Sequence, residues 1–288
     1  MPVFDASPTL MPVVLALAAA VLWGVSDFGG GLLGRRGPIL GVLIGTQGVG
    51  LLVATTGAVV RGEPMLQGAD LGLVIVAAGL AAIGVGSLYR GLAVGRMGIV
   101  APVTGVLTAV TPALIGIGFQ GVPAPVVLLG FGIAIVAVVI VSLVPDDGSG
   151  SPTGLSYALV GGVTLGLLGA VLSRIDLQHV FVPLAVMRGL EIALFVGFII
   201  IRRVPWRMPR STLRLVIIVG VVDVIGNLAF LTAARTGALS IAAVLSSLYP
   251  VVTVILAAAI LRERVTLSHA AGIVLAFVAI GFITGGAS

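Results

Sequence analysis

Four charged side chains fall inside otherwise apolar stretches, and any chemistry must begin with them. Asp223 stands in the middle of LVIIVGVVDVIGNLAFLTAA, with Asn227 one helical turn on and on the same face. A carboxylate beside an amide can hold a proton or the amine of a solute; as a structural pair it would bond neighbouring helices instead. Asp27 follows Trp23 and Ser26. Trp23 offers a flat wall for a solute, and Asp27 reads equally as a cavity carboxylate or as a residue near the membrane surface. Arg188 and Glu191 are three apart in VMRGLEIAL, so they can face each other as an internal ion pair. Alternatively, Arg188 receives a solute carboxylate and Glu191 is released. A charge at the centre of a membrane helix costs about 2.5–3.5 kcal/mol on insertion scales, so such residues face a partner or a wet cavity.

Prolines and hydroxyls add a second signal. Pro102, Pro112 and Pro250 lie inside apolar runs, where a missing N–H frees a carbonyl and bends a helix. Pro112 and Pro250 occupy matching places in two similar segments and are candidate hinges, with inert kinks as the alternative. Ser246, Ser247 and Tyr249 offer hydroxyls beside Pro250. Tyr89 and Arg90 are expected late in a helix, close to water, with Arg90 snorkelling. Glu263, flanked by Arg262 and Arg264, reads as a structural cluster at a loop end, outside the site.

Composition limits what these residues can serve. The chain of 288 residues is 59% hydrophobic and 9% charged, with a mean hydropathy of +1.29; soluble domains carry about a quarter charged residues. Lipid is therefore the expected solvent. The net charge of +5 comes from arginines scattered between apolar runs, which suits the loops of a membrane protein better than a nucleic-acid surface. There is no Cys and no Lys. That excludes disulfides, thiolate metal sites, a Walker A loop and a Schiff-base lysine, and no cofactor or metal is expected. Transport, if that is the task, is passive or driven by an ion gradient.

The elements that position these side chains follow from apolar length. Candidate membrane helices span 11–33, 39–60, 70–94, 98–119, 124–144, 154–173, 179–201, 213–234, 238–261 and 266–286. The first is expected to be a retained helix, since MPVFDASPTL has neither a basic region nor a cleavage site. The polar stretch PDDGSGSPTG divides the helices five and five, giving a first repeat over 1–144, a linker over 145–153 and a second repeat over 154–288. GIVAPVTGVLTAVTPALIGIGFQGVPAPVVLLG is echoed by GALSIAAVLSSLYPVVTVILAAAILRERVTLSHAAG half a chain later. In the same register Trp23-Gly24 meets Leu165-Gly166, and Gln47 meets Arg188. An odd number of helices per repeat makes consecutive repeats enter the membrane from opposite sides. The expected fold is an all-α polytopic membrane protein, ten transmembrane helices in two inverted five-helix repeats. Glycines spaced GxxxG, such as Gly30/Gly34, Gly41/Gly45, Gly91/Gly95, Gly162/Gly166 and Gly281/Gly285, are read as packing surfaces.

Arginine sets the expected orientation. The loops after the odd-numbered helices hold Arg35, Arg36, Arg96, Arg202, Arg203, Arg207, Arg210, Arg214, Arg262 and Arg264; the others hold only Arg61, Arg174 and Arg235. The positive-inside rule then puts both termini outside the cytoplasm.

With these residues in view, the chain resembles the EamA family of the drug/metabolite transporter superfamily over essentially its whole length. The segment 233–272 carries the resemblance: a small-residue stretch, Pro250 within a helix, the L-x-E-x-x-T turn of Leu261, Glu263 and Thr266, and Gly272 opening the last helix. Trp23-Gly24 also suits the family. Gln120-Gly121-Val122-Pro123 departs from it by lacking the acidic residue, and Gln47 stands where the second repeat has Arg188. The resemblance implies a multi-pass protein of a bacterial plasma membrane and a secondary transporter of a small organic metabolite. Such a carrier works by alternating access, with a cavity lined by helices 1, 3, 4, 6, 8 and 9, and a proton-coupled exporter of amino acids or related metabolites is one form of it. A multidrug or hydrophobic-cation exporter and a non-transporting scaffold are the alternatives. Lipid, a small solute, protons and a second copy in a homodimer are the partners considered.

Overall fold

The computed structural model describes residues 10–120, 124–142, 154–172, 174–175, 180–236, 242, 245–263 and 267–285. The linker over 145–153, Gly121-Val122-Pro123, His179, Arg264 and Thr266 lie outside the described residues, as do the side chains of Arg235 and His269. The described residues form ten α-helices of 12 residues or more. They are α1 (Leu10–Gly34), α2 (Ile39–Arg61), α3 (Gly68–Val94), α4 (Met97–Gln120), α5 (Pro125–Ser142), α6 (Leu155–Leu172), α7 (Phe181–Arg202), α8 (Leu213–Thr236), α9 (Tyr249–Ile260) and α10 (Leu267–Gly285), with a 3-10 turn at Arg210–Thr212. Helices satisfy every backbone group within one segment, which lipid requires. α1, α2, α3, α6, α7 and α8 are long and apolar enough to cross a membrane; the apolar parts of α4, α5, α9 and α10 are shorter.

The span 238–261 is interrupted beside its proline. Ala242, Leu245 and Ser246 are helical, Ser247 and Leu248 form a turn, and α9 runs on from Tyr249 with Pro250 in its first turn. There the missing N–H costs α9 no hydrogen bond of its own. Pro102 and Pro112 do lie inside α4, which runs through both.

The helices pack with α1 against α8, α3 and α9; α6 against α3 and α4; α2 against α7 and α8; α3 against α7; α4 against α9; and α5 against α10. Glycine makes several crossings close. A Cβ on Gly24 of α1 would sit 2.6 Å from the Tyr249 carbonyl oxygen and 2.5 Å from Val252 Cβ. Gly30 and Gly34 lie against Tyr89 and Ala93 of α3, and Gly162 and Gly166 against Leu107 and Thr111 of α4. Gly281 has nothing within 4 Å among the described residues, so the packing reading fails for it. Gly24→Ala is expected to destabilise the fold by about 1–3 kcal/mol through overpacking against backbone. Gly79→Ala, with open space around it, is expected to be neutral or to add up to about 1 kcal/mol. Thermal unfolding of both variants in detergent checks the contrast.

One end of the bundle gathers the turns after α1, α3, α7 and α9. Gly37 meets Met208, Gly41 meets Trp206, and Arg35 reaches Glu263. This is the arginine-rich face. The largest core lies just inside it, where Leu33, Leu92, Met97, Val100, Phe195 and Val216 join. Towards the other face the described core divides into smaller groups, around Val74 and Met187, around Ala16 and Ala233, and around Ala54 and Val224.

Candidate functional site

α7 places Arg188 and Glu191 one turn apart on the side that meets α2, from which the Arg188 side chain reaches across to α8. Arg188 Nη2 donates to Asp223 Oδ2 at 2.5 Å, and Nη1 donates to Gln47 Oε1. Gln47 Nε2 in turn donates to Glu191 Oε2, which lies 3.8 Å from Arg188 Nη1. Asn227 Nδ2 donates to Asp223 Oδ2 at 3.3 Å and to its carbonyl at 2.8 Å. Glu191 is fully buried and Arg188 nearly so, while Asp223 keeps 24% of its side chain exposed. Gly50 of α2 leaves room for the guanidinium: a Cβ there would stand 3.4 Å from Nε.

Of the two readings of Arg188 and Glu191, the geometry realises the internal ion pair, but Asp223 is the closer partner of the arginine. Two atoms of this network have no hydrogen-bond partner among the described residues, Arg188 Nε and Glu191 Oε1. Gln47, seen in the sequence only as the counterpart of Arg188, bridges the arginine and the glutamate. Its signal was its position: an amide in an apolar run, in register with an arginine half a chain away.

Asp27 reaches the same level from α1. This helix runs antiparallel to α8, with Gly29 against Val219 and Trp23 against Gly226, and Asp27 and Asp223 fall between those crossings. Asp27 is half-buried and makes no hydrogen bond or ion pair to any described residue. Asp27 therefore lies between α1 and α8 at the level of Asp223, within the bundle. Around it stand aromatic rings. Trp23 lies 5.4 Å from Phe230, centroid to centroid, and 6.4 Å from Tyr249 at 90°. Tyr89, expected near water, is instead 4% exposed, and its hydroxyl pairs with Ser26 at 3.2 Å. Its burial follows from Gly30, whose missing side chain admits the phenol ring. Arg90 is exposed.

The structure thus brings together Trp23, Asp27, Arg188, Glu191, Asp223, Asn227 and Tyr249. Ser246 is buried in the segment before α9. Pro250 packs against Gly105 of α4, while Pro112 lies further along that helix. Glu263 is corrected. It is no local cluster with Arg262, but accepts from Arg35 Nη2 at 3.1 Å and from the backbone N–H groups of Met97 and Gly98 at 3.3 and 3.2 Å.

Comparison with known proteins adds the following. Residues 152–285 match the model of the EamA-like transporter family. No curated protein gives a significant match. Among solved structures, 25 chains match. One, described only as "Crystal structure of protein", is 15% identical with a TM-score of 0.64, over 94% of this chain and 95% of that one. At that identity the likeness establishes a shared fold.

Proposed function

We propose, from the premise that residues 152–285 are an EamA-like transporter domain within a multi-pass membrane protein, that the chain is a secondary transporter of small organic amines. It works by alternating access between two inverted five-helix repeats. The packing supports the repeats. Exchanging each helix with the one five places on turns α1–α8 into α6–α3, α2–α8 into α7–α3 and α4–α6 into α9–α1. α2–α7, α4–α9 and α5–α10 map onto themselves. Residues follow: Gly24 on Tyr249 and Val252 is answered by Gly166 on Thr108 and Thr111, and Trp23 on Gly226 by Leu165 on Gly84.

Residues on a two-fold axis meet their own counterparts. Gln47 bonds Arg188, its counterpart in the repeat register, as residues beside such an axis would. The charges break the symmetry. Where the second repeat has Arg188, Glu191 and Asp223, the first has Gln47, Gly50 and Ala81.

The observation that carries the substrate class is Asp27. Of the three carboxylates Asp27, Glu191 and Asp223, the last two pair with the Arg188 guanidinium, and Asp27 is left without a partner among the described residues. A cation beside it completes the charge balance, and Trp23, Tyr249 and Phe230 favour one with an apolar body, through ring-face attraction and area burial.

Counterflow in protein-only liposomes tests this reading. Vesicles loaded with phenethylamine are expected to accumulate labelled phenethylamine from outside. Exchange of sugars or organic acids but not amines would overturn the substrate class; movement of no solute would overturn the transporter. The arginine-rich face is taken as cytoplasmic, with both termini outside, and a C-terminal reporter active only in the cytoplasm would reverse that assignment.

A further inference from the structure

We infer that this conformer is closed at the arginine-rich face, and that Glu263 is the latch that must release before the site can open there. The inference rests on the alternating-access reading and adds the residues that govern it. Glu263 follows α9, in the second half of the chain, and the described partners of its carboxylate all belong to the first. It takes the two N–H groups at the start of α4, which have no partner within their own helix, and the Arg35 guanidinium. Arg35 also donates to the carbonyls of Leu92 and Gly95 at the end of α3, at 3.3 and 3.0 Å. One carboxylate therefore ties the ends of α1, α3 and α9 to the start of α4. The backbone is bent to place it: Arg262 takes a φ of 55°, uncommon for a residue with a side chain.

The latch closes over packed apolar side chains. Leu33, Leu92, Met97 and Val100 behind it are fully buried, so a solute at Asp27 has no path this way until α4 and α9 part. The counterpart stretch of the first repeat, Gln120-Gly121-Val122-Pro123, has no carboxylate. The α4–α9 crossing thus carries a charged latch at one membrane face only, which weights the resting equilibrium towards closure at that face. Glu63 makes the other carboxylate clasp, onto the N–H groups of Val180, Phe181 and Val182 at 3.3, 2.8 and 2.9 Å. It joins α2 to α7 at the opposite face and does not bridge α4 and α9.

The absence of native cysteine makes a direct test clean. In an Ala101→Cys reporter, whose site on α4 is fully buried, Glu263→Gln is expected to raise maleimide labelling from the arginine-rich face about ten-fold. Glu263→Asp should restore protection, which general loosening of the fold would not allow. Separately, a reversible bis-thiosulfonate bridge across Arg35→Cys/Glu263→Cys should stop amine counterflow, and reductant should restore it. Unchanged labelling in Glu263→Gln, or full counterflow in the bridged protein, would overturn the latch. Increased labelling in a protein that moves no solute would leave the latch standing and remove the transporter reading.

Discussion

Arg188→Met is expected to lower folding stability by about 3–5 kcal/mol, the penalty for leaving buried charge without its partner. Among the described residues the arginine is the only cation within reach of Glu191, which is fully buried, and it holds Asp223 at 2.5 Å. Without it Glu191 keeps a single neutral donor, the Gln47 amide, and one of its oxygens already lacks a partner among the described residues. The cost lies in the stranded carboxylate more than in the lost bond, so removing that carboxylate as well should recover much of it. Arg188→Met/Glu191→Met is expected to be more stable than Arg188→Met alone, with a coupling energy of roughly 0.5–3 kcal/mol in a double-mutant cycle. Chemical denaturation in detergent micelles measures all the variants. Independent, additive effects would show that the network does not act as a unit.

The second large effect is on transport rather than folding. Asp27→Asn is expected to weaken binding of a cationic amine about 100-fold, in line with the 2–5 kcal/mol lost when one side of a desolvated charge pair is removed. Stability should hardly change, because Asp27 bonds to none of the described residues. Asp223→Asn should behave differently. That carboxylate supports Arg188 and Asn227, so both unfolding temperature and counterflow should fall. Measuring the two properties on the two variants separates a solute-binding carboxylate from one that orders its neighbours. An Asp27→Asn protein with unaltered amine affinity would remove Asp27 from the site.

Much of the fold was legible because membrane helices announce themselves by length and apolarity. Nine of the ten expected spans correspond to helices in nearly the expected places. The remaining span, 238–261, is interrupted at Ser247-Leu248, just ahead of Pro250; hydropathy reads a single apolar run there, and only the proline signals the break. Trp23-Gly24 and Leu165-Gly166, matched by their place in the sequence, each set a glycine close to a backbone carbonyl and a larger side chain against a glycine of another helix. Tyr89 was misplaced for a related reason. Distance from a helix end says how deep a residue lies, but not whether a glycine on another helix has cleared a space for its ring.

The charges mark the boundary between the two kinds of knowledge. That Arg188, Glu191 and Asp223 fall inside apolar spans, and that Glu191 and Asn227 share faces with Arg188 and Asp223, follows from hydropathy and spacing along single helices; the depth of Asp27 does not. Which charge takes which partner does not. Arg188 turned to Asp223 and Gln47 ahead of its own neighbour, Asp27 was left unpaired, and Glu263 crossed the bundle to Arg35 and the start of α4. Periodicity fixes direction around one helix axis, whereas an ion pair forms at a few ångströms between helices far apart in the chain. Glycine-sized differences in how closely those helices approach decide which groups come within that range.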